Sequence, residues 1–405
     1  MFVVEDIRKD FPILKANPNL VYFDNGATTF KPQCVIDAVS EFYSSFTSNV
    51  HRGDYDMAVK ADRMFDAARQ TVANFINAKP EEIVFTAGAS ASLNQIAYGL
   101  KDRLHEGDVI LTTVSEHASN ILPWFKVAEQ TGAVIEYIRL DEEGQISMEA
   151  FNEAMHDRVK VVTLAHVGNV MGQIQPVREM AAVAHAMGAL MVVDGAQSVP
   201  HIPVDVKDMD CDFLAFSSHK MCGPSGVGVM YGKYELLEAM EPWLQGGGAN
   251  ARFDICGNVL LKHAPAKFEA GTPNIEGVIG LKAAVEYLEK IGMANIQAYE
   301  HELREYLRVK MQELDNVTIY NPHAPTGIVA FNGNGVFAQD TGSYLNTKNV
   351  AVRSGTHCAK ILPELIGTAD TVRASLYFYN TKEEIDRFVE ACRGISVENC
   401  IGIFF

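Results

Sequence analysis

Seven short apolar runs between residues 83 and 231 constrain the fold of this 405-residue chain more than any other feature. They alternate with segments of helical spacing, such as 91–104 and 177–188, and they are too apolar to leave one face in water. This alternation predicts an α/β architecture, in which helices cover a mainly parallel, seven-stranded sheet. The predicted strands are 83–86, 108–113, 134–139, 161–166, 190–194, 213–217 and 226–231.

The pattern changes after residue 275, where long helical stretches replace the alternation. The two stretches are 276–292 and 296–314. Shorter runs that resemble strands then follow at 327–333, 350–355 and 371–378. This second pattern predicts a smaller α+β domain that follows the α/β layer.

The change of pattern gives a predicted division into two domains. Residues 15–275 form the large domain, and residues 1–14 with 276–405 form the small one. A helix at about 4–14 is expected to join the small domain. The last six residues, 400–405, are apolar but too short to span a bilayer, and they are expected to form a strand or a tail tucked against the body.

Composition excludes several classes of partner. Acidic side chains outnumber basic ones by 51 to 34, which gives a net charge of −17. Such a surface repels phosphate backbones and anionic lipids, so neither nucleic acid nor membrane is an expected partner. The N-terminal residues lack a signal-peptide pattern, and no apolar stretch approaches the ~18 residues of a membrane span. We expect a cytoplasmic protein.

The seven cysteines are an odd number, widely scattered and without a CxxC pair. This distribution indicates neither a disulfide framework nor a zinc site, so the cysteines are interpreted as reduced and no metal ligands are predicted.

Two polar residues stand where predicted strands end. Asp194 ends the run 190–194, and Lys220 follows the run 213–217. A lone lysine after a strand is usually a solvated surface group. Ligands of parallel sheets, however, bind beyond the carboxyl ends of the strands. A lysine and a carboxylate there match the needs of pyridoxal phosphate, because the amine binds the cofactor covalently and the carboxylate keeps its pyridine nitrogen protonated.

Further motifs connect the chain to a known family. The segments DGAQ and SSHK carry Asp194 and Lys220, and five others follow the family order across nearly the whole chain. These are YFDNGA at 22–27, NVHR at 49–52, EAGTPN at 269–274, RSGTHCA at 353–359 and RAS at 373–375. The chain resembles the class V aminotransferase family, of fold-type I among the pyridoxal phosphate enzymes. Within it, the chain is most similar to the group II, Suf-type cysteine desulfurases.

The resemblance implies which residues bind the cofactor. Lys220 is the covalent attachment point, Asp194 the partner of the pyridine nitrogen, and His117 the residue that stacks on the ring. The residues 88–90 follow a strand and open a helix, so their free N–H groups suit a phosphate. The remaining cofactor contacts implied by the family are Asn169 and Gln197 at the phenolic oxygen, Ala89, Ser90, Ser217 and His219 at the phosphate, and Thr272 from the other subunit of a dimer.

Four positions depart from the usual family pattern. Ala89 and Ala91 stand where a threonine and a glutamate are common, and Gly168 and Ser218 are smaller departures. Backbone contacts survive the loss of a side chain, so Ala89 is expected to weaken the phosphate site modestly. The missing carboxylate at Ala91 puts a contact between subunits or with a loop in doubt.

Substrate binding is expected to need a guanidinium, because its fork engages both oxygens of a carboxylate. Arg373 resembles the carboxylate-binding arginine of the family, and Arg353 is a second candidate. The resemblance adds Asn169, Ala27 and His51 to the substrate contacts.

Cys358 is the residue that distinguishes desulfurases from their relatives. A cysteine is by default a small buried hydrophobe, and the other six are interpreted as structural, with Cys222 packed near Lys220. The short loop around Cys358 instead places His357 next to it in sequence, where a cation or proton acceptor is expected to raise the thiolate fraction. The resemblance therefore makes Cys358 catalytic, together with Lys220 and His117.

The implied reaction converts L-cysteine to L-alanine. Sulfur passes to Cys358 as a persulfide and then to a small acceptor protein for iron–sulfur cluster assembly, and the implied enzyme is a homodimer. Three alternatives share the fold: selenocysteine lyase, cysteine sulfinate desulfinase and aminotransferase. A non-catalytic subunit of a sulfur system is a fourth. A dinucleotide-dependent oxidoreductase is disfavoured, because no strand–GxGxxG–helix unit is present.

Overall fold

The computed structural model describes residues 3–51 and 53–403. Its strands are Val21–Tyr22 (β1), Ile83–Thr86 (β2), Val109–Thr112 (β3), Val134–Tyr137 (β4), Val159–Ala165 (β5), Leu190–Asp194 (β6), Phe213–Ser217 (β7), Gly228–Gly232 (β8), Asn250–Phe253 (β9), Val259–Leu261 (β10), Val317–Ile319 (β11), Ile328–Gly333 (β12), Val350–Ala351 (β13), Arg353–Gly355 (β14) and Thr371–Ser375 (β15). Its α-helices are Val4–Arg8 (α1), Pro12–Ala16 (α2), Gln33–Ser45 (α3), Asp56–Phe75 (α4), Ala89–Leu100 (α5), Leu122–Thr131 (α6), Met148–Ala154 (α7), Val177–Ala186 (α8), Val206–Met209 (α9), Tyr234–Ala239 (α10), Ile275–Ile291 (α11), Met293–Met311 (α12), Ala338–Thr347 (α13), Pro363–Ile366 (α14), Lys382–Arg393 (α15) and Val397–Gly402 (α16). Single 3₁₀ turns occur at Pro80–Glu82, Lys101–Arg103, Ala118–Asn120, Ser218–Lys220 and Ala266–Phe268.

The predicted seven-stranded sheet is confirmed, and each predicted run contributes a strand. The strand order is β2-β8-β7-β6-β5-β3-β4, and β8 alone runs antiparallel to its neighbours in this sheet. One expectation was wrong: β4 is not buried on both sides, since Val134 and Tyr137 are exposed. The physical reason is that β4 lies at the edge of the sheet, where it has one neighbouring strand and less cover.

The sheet brings several site residues to one edge. Strands β5, β6 and β7 are parallel neighbours, so their carboxyl ends meet there. At the same edge β8 passes very close to the start of α5. A Cβ on Gly228 would lie 2.4 Å from the backbone of Gly88, so only glycine allows this approach.

A second sheet follows in the chain, with the antiparallel order β11-β12-β15-β14. The run predicted at 350–355 divides into two strands, because β13 pairs with β1 whereas β14 pairs with β15. Helix α11 packs in the same hydrophobic cluster as α3 and α4, while α12 and α15 contribute to the core of the second sheet. The division into domains at residue 275 stays a prediction.

Both chain ends differ from the sequence expectation. The helix expected at about 4–14 is two helices, α1 and α2, because Pro12 lacks an N–H and begins a new helix. Of the strand or tucked tail expected at 400–405, the strand is wrong for residues up to 402, where α16 is capped by Ser396; the buried Cys400 agrees with a segment packed against the body. Residues 404 and 405 lie outside the described part of the chain.

All seven cysteines are free. Three of them are exposed: Cys34, Cys256 and Cys358. The structural interpretation of the other six therefore fails for Cys34 and Cys256, whereas Cys222 is buried as expected. Within residues 3–51 and 53–403, no helix combines the length and the apolarity needed to cross a membrane.

Candidate active site

All but two of the predicted site residues line one cavity of about 290 Å³, which we call the main cavity. It lies where the carboxyl ends of the seven-stranded sheet face β14 and β15. The predicted residues that line it are Ala27, Ala89, Ser90, His117, Asn169, Asp194, Gln197, Ser217, His219, Lys220, Arg353, Cys358 and Arg373.

Asp194 and Lys220 reach the main cavity from adjacent strands. Asp194 is the last residue of β6, and Lys220 lies on the 3₁₀ turn that follows β7. Asp194 accepts a hydrogen bond from the Ala196 N–H at 2.9 Å. Burial lowers the pKa of Lys220 to about 8, and the negative charge of Asp194 opposes this shift. A substantial fraction of the Lys220 amine is therefore neutral near pH 8.

The turn that carries Lys220 is anchored through one carbonyl group. The His219 carbonyl oxygen accepts hydrogen bonds from the Thr29 N–H at 3.0 Å, the Thr28 hydroxyl at 3.1 Å and the Lys31 ammonium at 3.1 Å. The Thr29 hydroxyl donates to the same oxygen at 3.2 Å. The segment after β1 thus fixes the backbone next to Lys220.

The main cavity also presents groups that suit an anion. Helix α5 begins at Ala89, whose N–H donates to the Ser217 hydroxyl at 2.8 Å. The hydroxyls of Ser90 and Ser119 are hydrogen-bonded at 2.6 Å. Burial lowers the pKa of His219 to about 4, so this side chain is neutral near pH 7. The Ala89 N–H, expected to be free, is thus engaged by Ser217, and the start of the helix together with the hydroxyls makes this part of the cavity polar and suited to phosphate.

His117 lies on the turn between β3 and α6, and a buried carboxyl group holds that turn. The His117 Nδ1 accepts a hydrogen bond from the Ser119 N–H at 3.1 Å. Glu116 accepts from the Ala165 N–H at 3.2 Å and from the Asn120 amide at 2.7 Å. Burial raises the pKa of Glu116 to about 7. Glu116 and Ser119 were not among the predicted site residues, although both stand within two residues of His117.

The Cys358 loop is fixed by its backbone. His357 and Cys358 have left-handed backbone conformations, with φ of 51° and 58°. The Cys358 carbonyl accepts from the Ala118 N–H at 2.7 Å, and the His357 carbonyl accepts from the Asn169 amide at 2.9 Å. The exposed thiol therefore stands on a loop that is pinned to the turn of His117.

His357 was expected to act beside the thiol as a cation or a proton acceptor; the cation is wrong, and the proton acceptor stays a prediction. Its Nε2 lies 2.9 Å from the Thr371 hydroxyl, and the side chain is buried. Burial lowers the pKa of His357 to about 3, so the ring is neutral near pH 7. The cations whose charges interact with Cys358 are instead Lys220, Arg353 and Arg373.

The two arginines of the main cavity are cross-strand partners on β14 and β15. Arg373 donates to the Asn169 carbonyl at 2.9 Å and is buried, and its burial lowers its pKa to about 10. Both arginines contact Asp24, Arg353 through two hydrogen bonds and Arg373 at 3.5 Å. Asp24 stands in the motif at 22–27 but was not among the predicted site residues.

His51 and Thr272 are the two predicted residues outside the main cavity. They line a separate cavity of about 300 Å³, which we call the edge cavity. The Asn49 amide donates to the Thr272 hydroxyl at 3.3 Å, and His51 has a positive φ of 69°. Arg52, from the same sequence motif, lies outside the described residues.

The four departures from the family pattern have different surroundings. The N–H of Ala89 makes the contact with Ser217 described above. Ala91 lines a further cavity next to Trp243 and Leu244, away from the main cavity. A Cβ at Gly168 would meet only ordinary contacts, and the Ser218 hydroxyl is buried without a hydrogen-bond partner in the described chain.

Comparison with known proteins shows the family of the chain. The sequence model of the family "Aminotransferase class-V" matches residues 21–388. A cysteine desulfurase of Haloferax volcanii is 43% identical over 409 aligned residues, which cover 96% of each chain. A probable cysteine desulfurase of Halalkalibacterium halodurans is 44% identical, over 94% of this chain and 95% of the relative.

A solved structure shows the same similarity in three dimensions. The apo structure of cysteine desulfurase from Thermococcus onnurineus NA1 superposes with a TM-score of 0.93 at 40% identity, covering 97% of this chain and 98% of that one. The fold and site define a class V aminotransferase architecture. The chain belongs to the class V aminotransferase family and, within it, to the cysteine desulfurases.

Proposed function

We propose that this chain, with pyridoxal phosphate bound, converts L-cysteine to L-alanine and receives the sulfur on Cys358 as a persulfide. One observation carries the proposal: the Cys358 thiol, the Lys220 amine and the Arg373 guanidinium line the same cavity. An aminotransferase needs the amine and the guanidinium but has no use for the thiol. The combination favours sulfur transfer over amino-group transfer.

The groups in the main cavity fit pyridoxal phosphate. The buried Gln197 Oε1, a hydrogen-bond acceptor, lacks a partner among the described residues, and the cavity is lined both by the Lys220 amine and by the anion-suited groups at the start of α5. We assign Lys220 to covalent attachment, Asp194 to the pyridine nitrogen and His117 to the ring face. The phenolic oxygen is assigned to Asn169 and Gln197, and the phosphate to Ala89, Ser90, Ser217 and His219. When bound, the cofactor supplies an electron-withdrawing ring that stabilises negative charge on the substrate carbon.

The side chains of this protein then perform three tasks. Arg373 binds the substrate carboxylate, with Ala27 and Asn169 lining the same part of the cavity. The neutral Lys220 amine removes the α-proton, which its lowered pKa permits near neutral pH. The Cys358 thiolate attacks the substrate sulfur.

The atoms balance without an external oxidant. A new S–S bond forms on Cys358 as the carbon–sulfur bond of the substrate breaks. The electron pair of the broken bond stays on the substrate carbon, which takes up protons to become the methyl group of L-alanine. One thiol and one cysteine thus give one persulfide and one alanine.

We propose that the enzyme is a homodimer in which the edge cavity of one subunit completes the main cavity of the other. In that dimer, His51 of one subunit would contact the substrate in the main cavity of the other subunit. Thr272 would contact the cofactor phosphate there. Two features support this assignment. Both residues lie outside the main cavity of their own chain, and the nearby hairpin β9–β10 exposes apolar side chains, including Phe253 at 71%.

The sulfur acceptor is proposed to be a small protein of iron–sulfur cluster assembly in the cytoplasm. Because Cys358 stands on a pinned loop, the acceptor must bring its own thiol close to the persulfide. The short loop also supports the group II assignment, since the group I pattern has a longer loop around its cysteine.

Product analysis tests the proposal. The enzyme is incubated with L-cysteine, with and without a thiol acceptor, and alanine and sulfide are quantified. Equal amounts of alanine and transferred sulfur are expected, with faster turnover when the acceptor thiol is present. Transfer of the cysteine amino group to an added 2-oxo acid, without alanine, would overturn the proposal in favour of an aminotransferase.

A further inference from the structure

The two arginines of the main cavity form an unusual pair. Arg353 on β14 and Arg373 on β15 stand directly opposite each other in the antiparallel register. Like charges opposite each other on adjacent strands are destabilising. A counter-charge is therefore expected close to both side chains.

Asp24 supplies that counter-charge, but it divides its contacts unevenly. Its carboxylate accepts two hydrogen bonds from Arg353, from Nε at 3.1 Å and from Nη2 at 2.9 Å. Its distance to the Arg373 Nη2 is 3.5 Å. Such a two-point contact fixes a guanidinium in both position and orientation. Asp24 thus engages mainly Arg353.

Arg373 keeps capacity for a ligand. One of its terminal nitrogens donates to the Asn169 carbonyl, while its buried Nε has no hydrogen-bond partner among the described residues. The three side chains together carry one net positive charge, because two guanidiniums face one carboxylate. This single positive charge complements a substrate that carries one anionic group, its carboxylate, in addition to its ammonium group.

We propose that Asp24 is a specificity-determining residue, which favours L-cysteine over amino acids with a second anionic group such as cysteine sulfinate. The inference rests on the proposed function and concerns the same site. A sulfinate group needs a second cation, and Arg353 is the remaining guanidinium among the residues that line the main cavity. To provide it, Arg353 must give up its two-point contact with Asp24.

The surroundings of Arg353 allow the arrangement to be changed. Its side chain is 48% exposed, so it can turn towards a ligand once residue 24 carries no charge. The substitution Asp24→Asn keeps the shape of the side chain and leaves the three residues with two net positive charges. The backbone contacts of Asp24, whose carbonyl accepts from the Ala27 and Thr28 N–H groups, do not depend on its side chain.

Two non-reacting ligands measure this preference directly. L-Alanine carries one anionic group, and L-cysteate carries a carboxylate and a sulfonate. Their dissociation constants are measured by isothermal titration on the holoenzyme of wild type, Asp24→Asn and Asp24→Glu. Glu235→Gln, an exposed position on α10, removes the same charge far from the cavity and serves as the matched control.

Asp24→Asn is expected to shift the ratio of the two dissociation constants about tenfold in favour of L-cysteate, because an unpaired guanidinium becomes available. Asp24→Glu and Glu235→Gln are expected to keep the wild-type ratio. The ratio of kcat/KM for cysteine sulfinate and L-cysteine should move in the same direction. Asp24→Ser, a second neutral variant, carries the same expectation if the asparagine variant folds poorly.

A ratio within about twofold of wild type in both neutral variants overturns the inference. The same holds if both ligands weaken equally, since Asp24 would then only hold Arg373 in place. These outcomes are distinct from failure of the proposed function, in which wild-type enzyme forms no alanine from L-cysteine. Wild-type activity with an unmoved ratio rejects the role of Asp24 alone.

Discussion

The main cavity and the edge cavity are lined by different kinds of structure. The main cavity collects side chains from the ends of buried parallel strands and from β14 and β15, and backbone hydrogen bonds pin its loops. The edge cavity is lined by loop residues such as Asn49, Gly248 and Thr272. One folded chain therefore assembles the amine, the thiol and the guanidiniums, whereas the edge cavity can contribute to the reaction only where it faces another subunit.

Removal of the Lys220 amine should reduce the activity of the main cavity more than any other substitution discussed below. Lys220→Ala is expected to abolish the visible absorbance of the bound cofactor and to lower the rate of alanine formation by at least about 10³-fold, since covalent attachment and proton transfer both depend on it. Spectra and product assays measure both effects. Lys290→Ala, at the exposed end of α11, is the control. Alanine formation near the wild-type rate in Lys220→Ala would remove the basis of the mechanism.

Removal of the thiol should separate sulfur transfer from cofactor chemistry. Cys358→Ala is expected to keep the visible absorbance but to lower alanine formation from L-cysteine by about 10²-fold or more, because the nucleophile is lost. Activity on cysteine sulfinate should fall much less, since this substrate can lose its sulfur group without a thiol. The exposed Cys256, on the hairpin β9–β10, provides the control variant Cys256→Ala. Equal losses on both substrates would indicate a structural role for Cys358.

The free energy of unfolding should depend on pH through His357, which lines the main cavity. The pKa of its buried ring is lowered to about 3, so the folded state disfavours the proton. The stability that this provides is complete above the ordinary pKa of about 6.5 and is lost as the pH falls from there towards 3. Between pH 7 and pH 5, wild type should lose about 2 kcal/mol more than His357→Asn in urea unfolding. Parallel losses in the two proteins would contradict the neutral ring.

The edge cavity can be tested by mixing subunits. Thr272→Ala is expected to weaken cofactor binding by about tenfold, because one hydrogen bond to a charged phosphate is lost. If Thr272 acts across a dimer, dimers that combine a Thr272→Ala subunit with a Lys220→Ala subunit contain one complete site. Co-refolded mixtures should then bind cofactor more tightly than either variant alone. Absence of any recovery, in a sample whose dimeric mass is verified, would assign Thr272 to its own chain or to no site.

The sequence predicted the seven-stranded sheet well, because apolar runs bounded by polar residues mark buried parallel strands. It could not tell that β4 lies at the edge, since strand order depends on pairing between distant segments. The segment 400–405 was expected as a strand or a tucked tail, and the strand was wrong because apolar composition alone does not distinguish a strand from a short helix. Its signal for a helix, Ser396 at the N-cap, stands before the apolar residues.

Site residues were predictable where a polar side chain stands at the carboxyl end of a buried strand, as Asp194 and Lys220 do. They were not predictable where a side chain acts through a partner far along the chain. Asp24 and Arg353 are separated by 329 positions, and their contact exists only after β14 is placed. His357 shows that neighbours in sequence need not act together. Its backbone is next to Cys358, but its ring lies against the Thr371 hydroxyl.

The proposed mechanism requires that the main cavity deliver the sulfur of L-cysteine to Cys358. Mass spectrometry of the peptide that contains Cys358, after a single turnover without an acceptor thiol, detects this step. Wild type is expected to show an added mass of one sulfur atom on this peptide, and Lys220→Ala none. Alanine formed in the wild-type sample with no sulfur on Cys358, or with the sulfur on another cysteine, would refute the mechanism.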